Sequence, residues 1–299
     1  MANDGLRWVT SNYREVFRAI KVPVKWMLDL IEDGLRDTPQ IIVLLSISLF
    51  AWQMVNRATG LLTLCALIVI GVIGAWDPAM TSLAVLIAAV LIATVIGLPI
   101  GILCSRSKII WMVFRPVLDF MQTIPSFTYL VPVILLFGIG NVPGVIVTAF
   151  FAMPPLIRLT YLGLTQVRED LVEAANAFGA SPMKRLWSIE LPLARPTIMA
   201  GVNQTVMLSL AMSVIASMIS VAGLGRLVLV GISQVDMSRA SVGGLGIVLL
   251  AVVFDRITQG FGLTRRDRNN LGLWERGPVG SLRKRLRGSD TPSPHAQSN

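Results

Sequence analysis

The chain has 299 residues, 54% of them hydrophobic and only 14% charged, with a mean hydropathy of +0.70, whereas an average soluble domain is about 25% charged. That balance excludes an ordinary soluble protein: several stretches approach the roughly 20 apolar residues that cross a bilayer, so the expected class is an all-α polytopic membrane protein. A formal charge of +9 would suggest nucleic acid in a soluble chain, but here the Lys and Arg residues fall mainly between and after apolar stretches, where they act as topology signals.

Residues 1–40 carry six basic and six acidic side chains, with Val16, Phe17, Ile20, Val24, Met27, Leu28 and Ile31 recurring mostly every three or four positions. The period predicts an amphipathic helix, interrupted near Pro23, extracytoplasmic or lying in the membrane interface, or docked on another subunit. A solvated leader is the alternative. No secretory signal is expected, because charges run through the segment and leave no apolar h-region of roughly 7–15 residues.

Seven spans are expected, near residues 41–56, 61–76, 79–104, 117–138, 142–162, 197–221 and 242–260. The first two, within residues 41–76, are short accessory helices, and residues 77–260 form the main transmembrane domain. After the last span come Arg265, Arg266, Arg268, Arg276, Arg283, Lys284, Arg285 and Arg287, which place the C-terminus in the cytoplasm under the positive-inside rule. Counting back through seven spans puts Arg106, Lys108 and Arg115 inside, residues 158–195 inside, and the N-terminus outside. The turns at Trp76-Asp77-Pro78 and between Gly138 and Pro143 then lie outside and carry no Lys or Arg. The basic tail at 261–299, rich in Gly, Pro and Ser, has too little apolar surface to fold and is expected to be largely disordered.

Residues 158–195 form a polar connector far longer than a turn requires, and such length usually carries function. Residues 168–178 read as a short helix with acids in its first turn, stopped by Gly179. Ser181 and Pro182 then restart a helix as N-cap and first helical residue, with Met183, Leu186, Trp187 and Ile189 on an apolar side and Pro192 as its limit. The product is a helix-turn-helix offering Ala174, Ala175, Phe178 and Gly179 for close approach by a partner, with Lys184 and Arg185 at its rim.

Within that hairpin Glu173-Ala174-Ala175, Gly179 and Ile189-Glu190-Leu191-Pro192 resemble, at the matching spacing, the EAA motif of permease subunits of ABC importers. The wider text, Arg115-Pro-Val-Leu-Asp-Phe-Met-Gln-Thr-Ile-Pro125, Leu136-Phe-Gly-Ile-Gly-Asn-Val-Pro-Gly144, Pro154-Pro-Leu-Ile-Arg-Leu-Thr160, Met199-Ala-Gly-Val-Asn-Gln-Thr205, Val214-Ile-Ala-Ser-Met-Ile219 and Asp255-Arg-Ile-Thr-Gln259, is similar to the glycine betaine/proline (quaternary ammonium) uptake branch. The resemblance covers about residues 77–260. It implies a type I ABC importer permease fold, a pair of permease subunits, a pair of ATP-binding subunits and an extracytoplasmic solute-binding protein. It also assigns coupling to the ATPase to the loop at 173–192, through Glu173, Ala174, Ala175, Phe178, Gly179, Ile189, Leu191 and Pro192.

The sequence contains no G-x-x-x-x-G-K-[ST] phosphate loop, so ATP and magnesium are expected in the partner ATPase and no cofactor in this chain. Cys65, Cys104 and the single histidine, His295, have no metal-ligand spacing, and no catalytic residue or metal site is expected. On the sixth span, Thr205, Ser209, Ser213 and Ser217 recur every four residues, with Asn203 and Gln204 at its start. That hydroxyl face suits either a translocation path for a small polar solute or hydrogen bonding between helices. The G-x-x-x-G spacings at Gly97–Gly101 and Gly140–Gly144 suggest close packing, and Asp119 is expected to face the bundle interior or the interface and to pair with a base, such as Arg115 one turn away. Asp255 and Arg256 read as anchors. An ion-driven carrier would call for intramembrane carboxylates or paired broken helices, neither of which is evident in the text.

Overall fold

The computed structural model describes residues 14–262. Residues 1–13 and the basic tail from residue 263 onward, with His295, lie outside the described residues. Every described element is helical: α1 (Arg14–Arg36), α2 (Gln40–Met54), α3 (Arg57–Val72), α4 (Trp76–Arg106), α5 (Lys108–Thr123), α6 (Leu130–Phe137), α7 (Asn141–Thr165), α8 (Glu169–Ala177), α9 (Pro182–Arg185), α10 (Leu191–Ala216), α11 (Leu224–Ser233) and α12 (Met237–Gly262), with short 3-10 turns at Ser126–Tyr129 and Ser217–Ile219.

Among the described residues, four unbroken helices are long and apolar enough to cross a membrane, or six crossings if each of two bent helix pairs is one span, against the seven spans expected. Helix α4, with 31 residues, is about 46 Å long at 1.5 Å per residue, ample for a hydrocarbon core of about 30 Å. The accessory helices differ: α2 and α3 have 15 and 16 residues, about 22–24 Å, too short to cross upright. They form a hairpin, N-capped at α3 by the Asn56 side chain, and bury Val43, Ala51, Ala66 and Leu67 against Trp76 and Met80 of α4 and Leu250 and Val253 of α12.

Three expectations need correction. Helix α1 runs unbroken through Pro23 and is no solvated leader: Val24 and Leu28 enter the main core, Glu32 accepts a hydrogen bond from Thr81 of α4 at 2.9 Å, and Lys21 donates to the Phe137 carbonyl at 2.8 Å. The expected single span at 117–138 is instead two helices, α5 and the Ser126–Phe137 segment, bent by 109°. The cause is Pro125, which forces Ile124 into an extended conformation (ψ 130°) and ends α5. Trp76-Asp77-Pro78 is not a turn but the first turn of α4, where an acid and a proline are both favourable; Gly74, at φ +74°, makes the turn instead.

The core is the packing of α7 against α4 on one side and α10 on the other. Small residues allow it: Ala84, Ala88, Ala89 and Ala93 of α4 are buried against Val145, Ala149 and Met153 of α7. A Cβ placed on Gly97 would stand 3.1 Å from Met153 Cγ, and one on Gly101 2.6 Å from Thr160 Cβ, so the first G-x-x-x-G spacing marks a true close approach. In the second, Gly144 faces Val221, while Gly140 turns the chain at φ +115°. Helix α11, absent from the sequence reading, packs against α12. Its entry is stitched by Ser82 Oγ accepting from Leu224 N and Asn141 Oδ1 accepting from Ala222 N, both at 2.8 Å.

Candidate functional site: the α8–α9 hairpin

The hairpin at one end of the bundle folds by local rules. Glu169 and Asp170 sit in the first turn of α8. Arg168 donates from Nε to Asp170 Oδ1 at 3.0 Å, and this hydrogen bond, with the guanidinium charge, holds the Asp170 carboxyl below its ordinary range. At the other end Gly179, at φ +72°, closes α8: its N–H reaches the Asn176 carbonyl at 2.9 Å and Ala180 N–H the Ala175 carbonyl at 3.0 Å, the paired bonds of a Schellman cap. Ser181 then caps α9, accepting from Lys184 N at 3.3 Å, with Pro182 following it.

Pro192 does not end this second helix as expected. Helical structure continues from Pro182 to Ile219, passing through a π turn at Leu186–Glu190 in which Leu191 N–H reaches back to the Leu186 carbonyl. A π turn widens the helix by one residue, which makes room for the Pro192 ring where it would strike the preceding turn. The hairpin is therefore joined without a loop to α10, which runs up through the core.

Between the hairpin's two arms lies an apolar groove of about 470 Å³ lined by Leu171, Ala174, Ala175, Phe178, Ser188, Ile189, Pro192 and Leu193. Of the residues expected at the coupling surface, Ala174, Ala175, Phe178, Ile189 and Pro192 meet there. Glu173 is exposed outside it, Gly179 caps its rim, and Leu191 packs inward beside Leu156, Leu164, Leu186, Ala194 and Ile198. Phe178 is 92% exposed, Trp187 65% and Met183 64%; no other described part of the chain covers them. Large apolar side chains held out by a rigid cap at a polar end of the bundle form a surface suited to another protein.

Beneath this surface is a charged cluster that the sequence reading did not single out. Glu190, whose side chain is 5% exposed, is gripped by both terminal nitrogens of Arg106 at the end of α4, with Nη1 to Oε1 at 3.2 Å, and by Arg185 Nε at 2.8 Å. Arg185 also donates to Asn176 Oδ1 of α8 at 2.9 Å. A carboxylate flanked by Ile189 and Leu191 was the available signal, since a buried acid demands partners; which bases supply them is a tertiary fact.

The residues proposed for a solute path scatter. Asn203 donates to Asp255 of α12 at 3.4 Å and accepts from Thr258. Gln204 is exposed. Thr205 and Ser209 are fully buried, Thr205 donating to the Gly201 carbonyl at 3.0 Å and Ser209 Oγ making no hydrogen bond. Ser213 and Ser217 donate to the carbonyls of Leu210 and Val214 on their own helix. Asp119 pairs with Arg158 of α7 rather than with Arg115, and Trp111 stacks on Tyr161 with ring centroids 3.7 Å apart; both contacts hold α5 to α7, which the one-turn spacing within α5 could not reveal.

Residues 97–262 match the family of binding-protein-dependent transport system inner membrane components. The chain is 52% identical over 279 residues to the glycine betaine/proline betaine transport system permease protein ProW of Escherichia coli (strain K12), covering 93% of this chain and 79% of the relative. It is 40% identical over 263 residues to the glycine betaine transport system permease protein OpuAB of Bacillus subtilis (strain 168), covering 88% and 93%. Among solved structures, the inward-facing MetNI methionine ABC transporter matches with a TM-score of 0.53 at 23% identity, over 64% of this chain and 94% of that one, a likeness of fold. The long apolar helices, the hairpin with its exposed apolar surface and these matches agree: the chain belongs to the binding-protein-dependent transport system inner membrane component family, with the fold of a type I ABC importer permease.

Proposed function

We propose that the chain is the membrane-spanning subunit of an ATP-driven importer of quaternary ammonium compatible solutes, such as glycine betaine, proline betaine or choline. Two copies pair around the solute path, two ATP-binding subunits hold ATP and magnesium at the cytoplasmic face, and an extracytoplasmic binding protein delivers the solute. ATP binding draws the ATPases together, and the hairpin carries that movement into α10, so the path opens to one side at a time.

The observation that carries this reading is the hairpin surface itself: an apolar groove beside a 92% exposed phenylalanine, fixed by a glycine cap and continuous with a helix of the core. Its charge setting fits a cytoplasmic location. The Arg106–Glu190 pair puts the basic turn at Arg106 and Lys108 at the same end of the bundle as the hairpin, as the positive-inside rule requires of two cytoplasmic loops. Two crossings, α10 and α12, follow the hairpin among the described residues, which returns the C-terminal end of α12 to the cytoplasmic side.

The test is uptake of labelled glycine betaine into liposomes holding the permease and its ATPase, with binding protein outside the solute path's entrance and ATP at the opposite face. Uptake is expected only with all three components and hydrolysable ATP. Uptake driven by an ion gradient without the ATPase would replace this reading with that of a secondary carrier.

A further inference from the structure

The helix that joins the hairpin to the core is weakest where it must transmit force. Over Leu186–Glu190 its hydrogen bonds are those of a π turn, and Pro192 and Pro196 each lack the N–H that would tie them to the preceding turn. A helix interrupted in this way bends rather than pushes, so without a brace a displacement of α8 and α9 would be partly lost at 186–196, where the hairpin enters α10.

Glu190 stands at that weak point and bridges it. Its two oxygens are held by Arg106 from α4, a 31-residue helix of the core, and one of them also by Arg185 of the hairpin, which in turn holds Asn176 of α8. Arg guanidinium and carboxylate match two donors to two acceptors in one plane, which restrains rotation as well as separation. The carboxylate is almost fully buried while Arg106 and Arg185 remain partly open, with side-chain exposures of 35% and 20%, so the carboxylate is shielded while its bases reach the surface. Helix α4 packs along α7 through Gly97 and Gly101, so whatever α4 receives at Arg106 reaches the core directly.

We propose that Glu190 is a positioning residue for energy coupling: with Arg106 and Arg185 it braces the π-turn hinge, so that the hairpin and the end of α4 move as one body when the ATPases close. This rests on the hairpin being the ATPase contact. Glu190 itself touches no partner; it determines where the contacting surface goes when it is pushed.

The experiment uses the complete transporter, permease with ATPase and binding protein, in liposomes, and reads labelled glycine betaine taken up per ATP hydrolysed. Glu190→Gln and Arg106→Met are each expected to retain the ATPase and to hydrolyse ATP, while uptake per ATP falls by about fivefold or more. The double variant falls no further than either single one, because both remove the same brace, and Arg106→Lys, which keeps the charge but loses the fork, falls less. Spin labels at Lys184 of the hairpin and Leu103 of α4, both exposed, should report one narrow distance with and without ATP in the parent protein and a broad one in Arg106→Lys. That variant and the distance reading carry the test if Glu190→Gln fails to assemble. Unchanged uptake per ATP in the assembled variants, additive losses, or a distance that changes with ATP in the parent protein would overturn the brace. A transporter in which Gly179→Asp leaves ATPase binding intact would instead overturn the hairpin contact, which is a separate failure.

Discussion

Replacing Gly179 by aspartate separates the folding role of this residue from its proposed place at an ATPase contact. Nothing lies within 4 Å of a Cβ built on Gly179, so the side chain meets no clash inside the chain. What remains is the backbone conformation at φ +72°, where an L-residue costs about 1–2 kcal/mol and Asp or Asn falls at the low end. A loss of about 1 kcal/mol lowers a midpoint of unfolding by about 2–4 °C in a protein of this size. At a protein contact the same substitution sets a charge beside the apolar groove of Leu171, Ala174 and Phe178, and hot-spot losses of about 2 kcal/mol weaken binding roughly 30-fold. The assay is equilibrium binding of the ATPase subunit to the permease in lipid nanodiscs, with thermal unfolding measured on the same samples. Gly179→Asp should bind at least about 30-fold more weakly with a midpoint within a few degrees of the parent, and the isosteric Gly179→Asn should share the small thermal shift and bind much better. Undiminished binding by Gly179→Asp would refute the contact, and a large thermal shift in both variants would mean that the loop, not the partner, is being damaged.

Three further outcomes follow from particular contacts. Truncating Phe178 or Trp187 to alanine removes side chains that are 92% and 65% exposed, so thermal stability should stay within about 0.5 kcal/mol of the parent while ATPase affinity falls about fivefold or more; equal affinity would remove them from the contact. Gly101→Leu forces a side chain against Thr160 and the Ile157 carbonyl and should cost about 1–3 kcal/mol in thermal unfolding, whereas Gly244→Ala, with open space at its Cβ, should be neutral or gain up to about 1 kcal/mol; similar shifts for the two would contradict the close α4–α7 approach. The Asp170 carboxyl, held down by Arg168, should titrate in carbon-13 spectra below the ordinary carboxylate value of about 3.9. Because its folded value is depressed, the contact's contribution is complete above that ordinary value and fades as pH falls through the depressed one; Arg168→Ala should return the midpoint upward, and an unmoved midpoint would disprove the pairing.

Much of the hairpin was legible because its signals are local. The acids opening α8, Gly179 as its stop and the Ser181-Pro182 restart each act within a few residues along the chain, and the structure keeps all three. Pro192 was misread for the same reason: proline's usual effect is to end a helix, and only the π turn preceding it shows how the helix passes through. The hydroxyl stripe on α10 has the right period for a polar face, yet period says nothing about what lies opposite; Thr205 and Ser209 face packed helices while Gln204 is exposed. Helix α11 escaped notice because its 10 residues are too few to show a helical period beside the long spans.

Composition and charge alone determined that this chain lives in a membrane, and the run of apolar stretches located α4, α7, α10 and α12 approximately, since hydropathy and backbone satisfaction in lipid are properties of each segment by itself. The long polar loop and its glycine could likewise be read without a structure. Which groups meet across the bundle could not. Asp119 pairs with Arg158 rather than with Arg115, α1 joins the core through Val24 and Leu28, and Glu190 draws together Arg106 and Arg185; sequence separation carries no record of these distances. They are set by how closely α4, α7 and α10 approach, and that approach follows from small residues facing one another across positions far apart in the chain, such as Gly101 against Thr160 and Gly163 against Ala194.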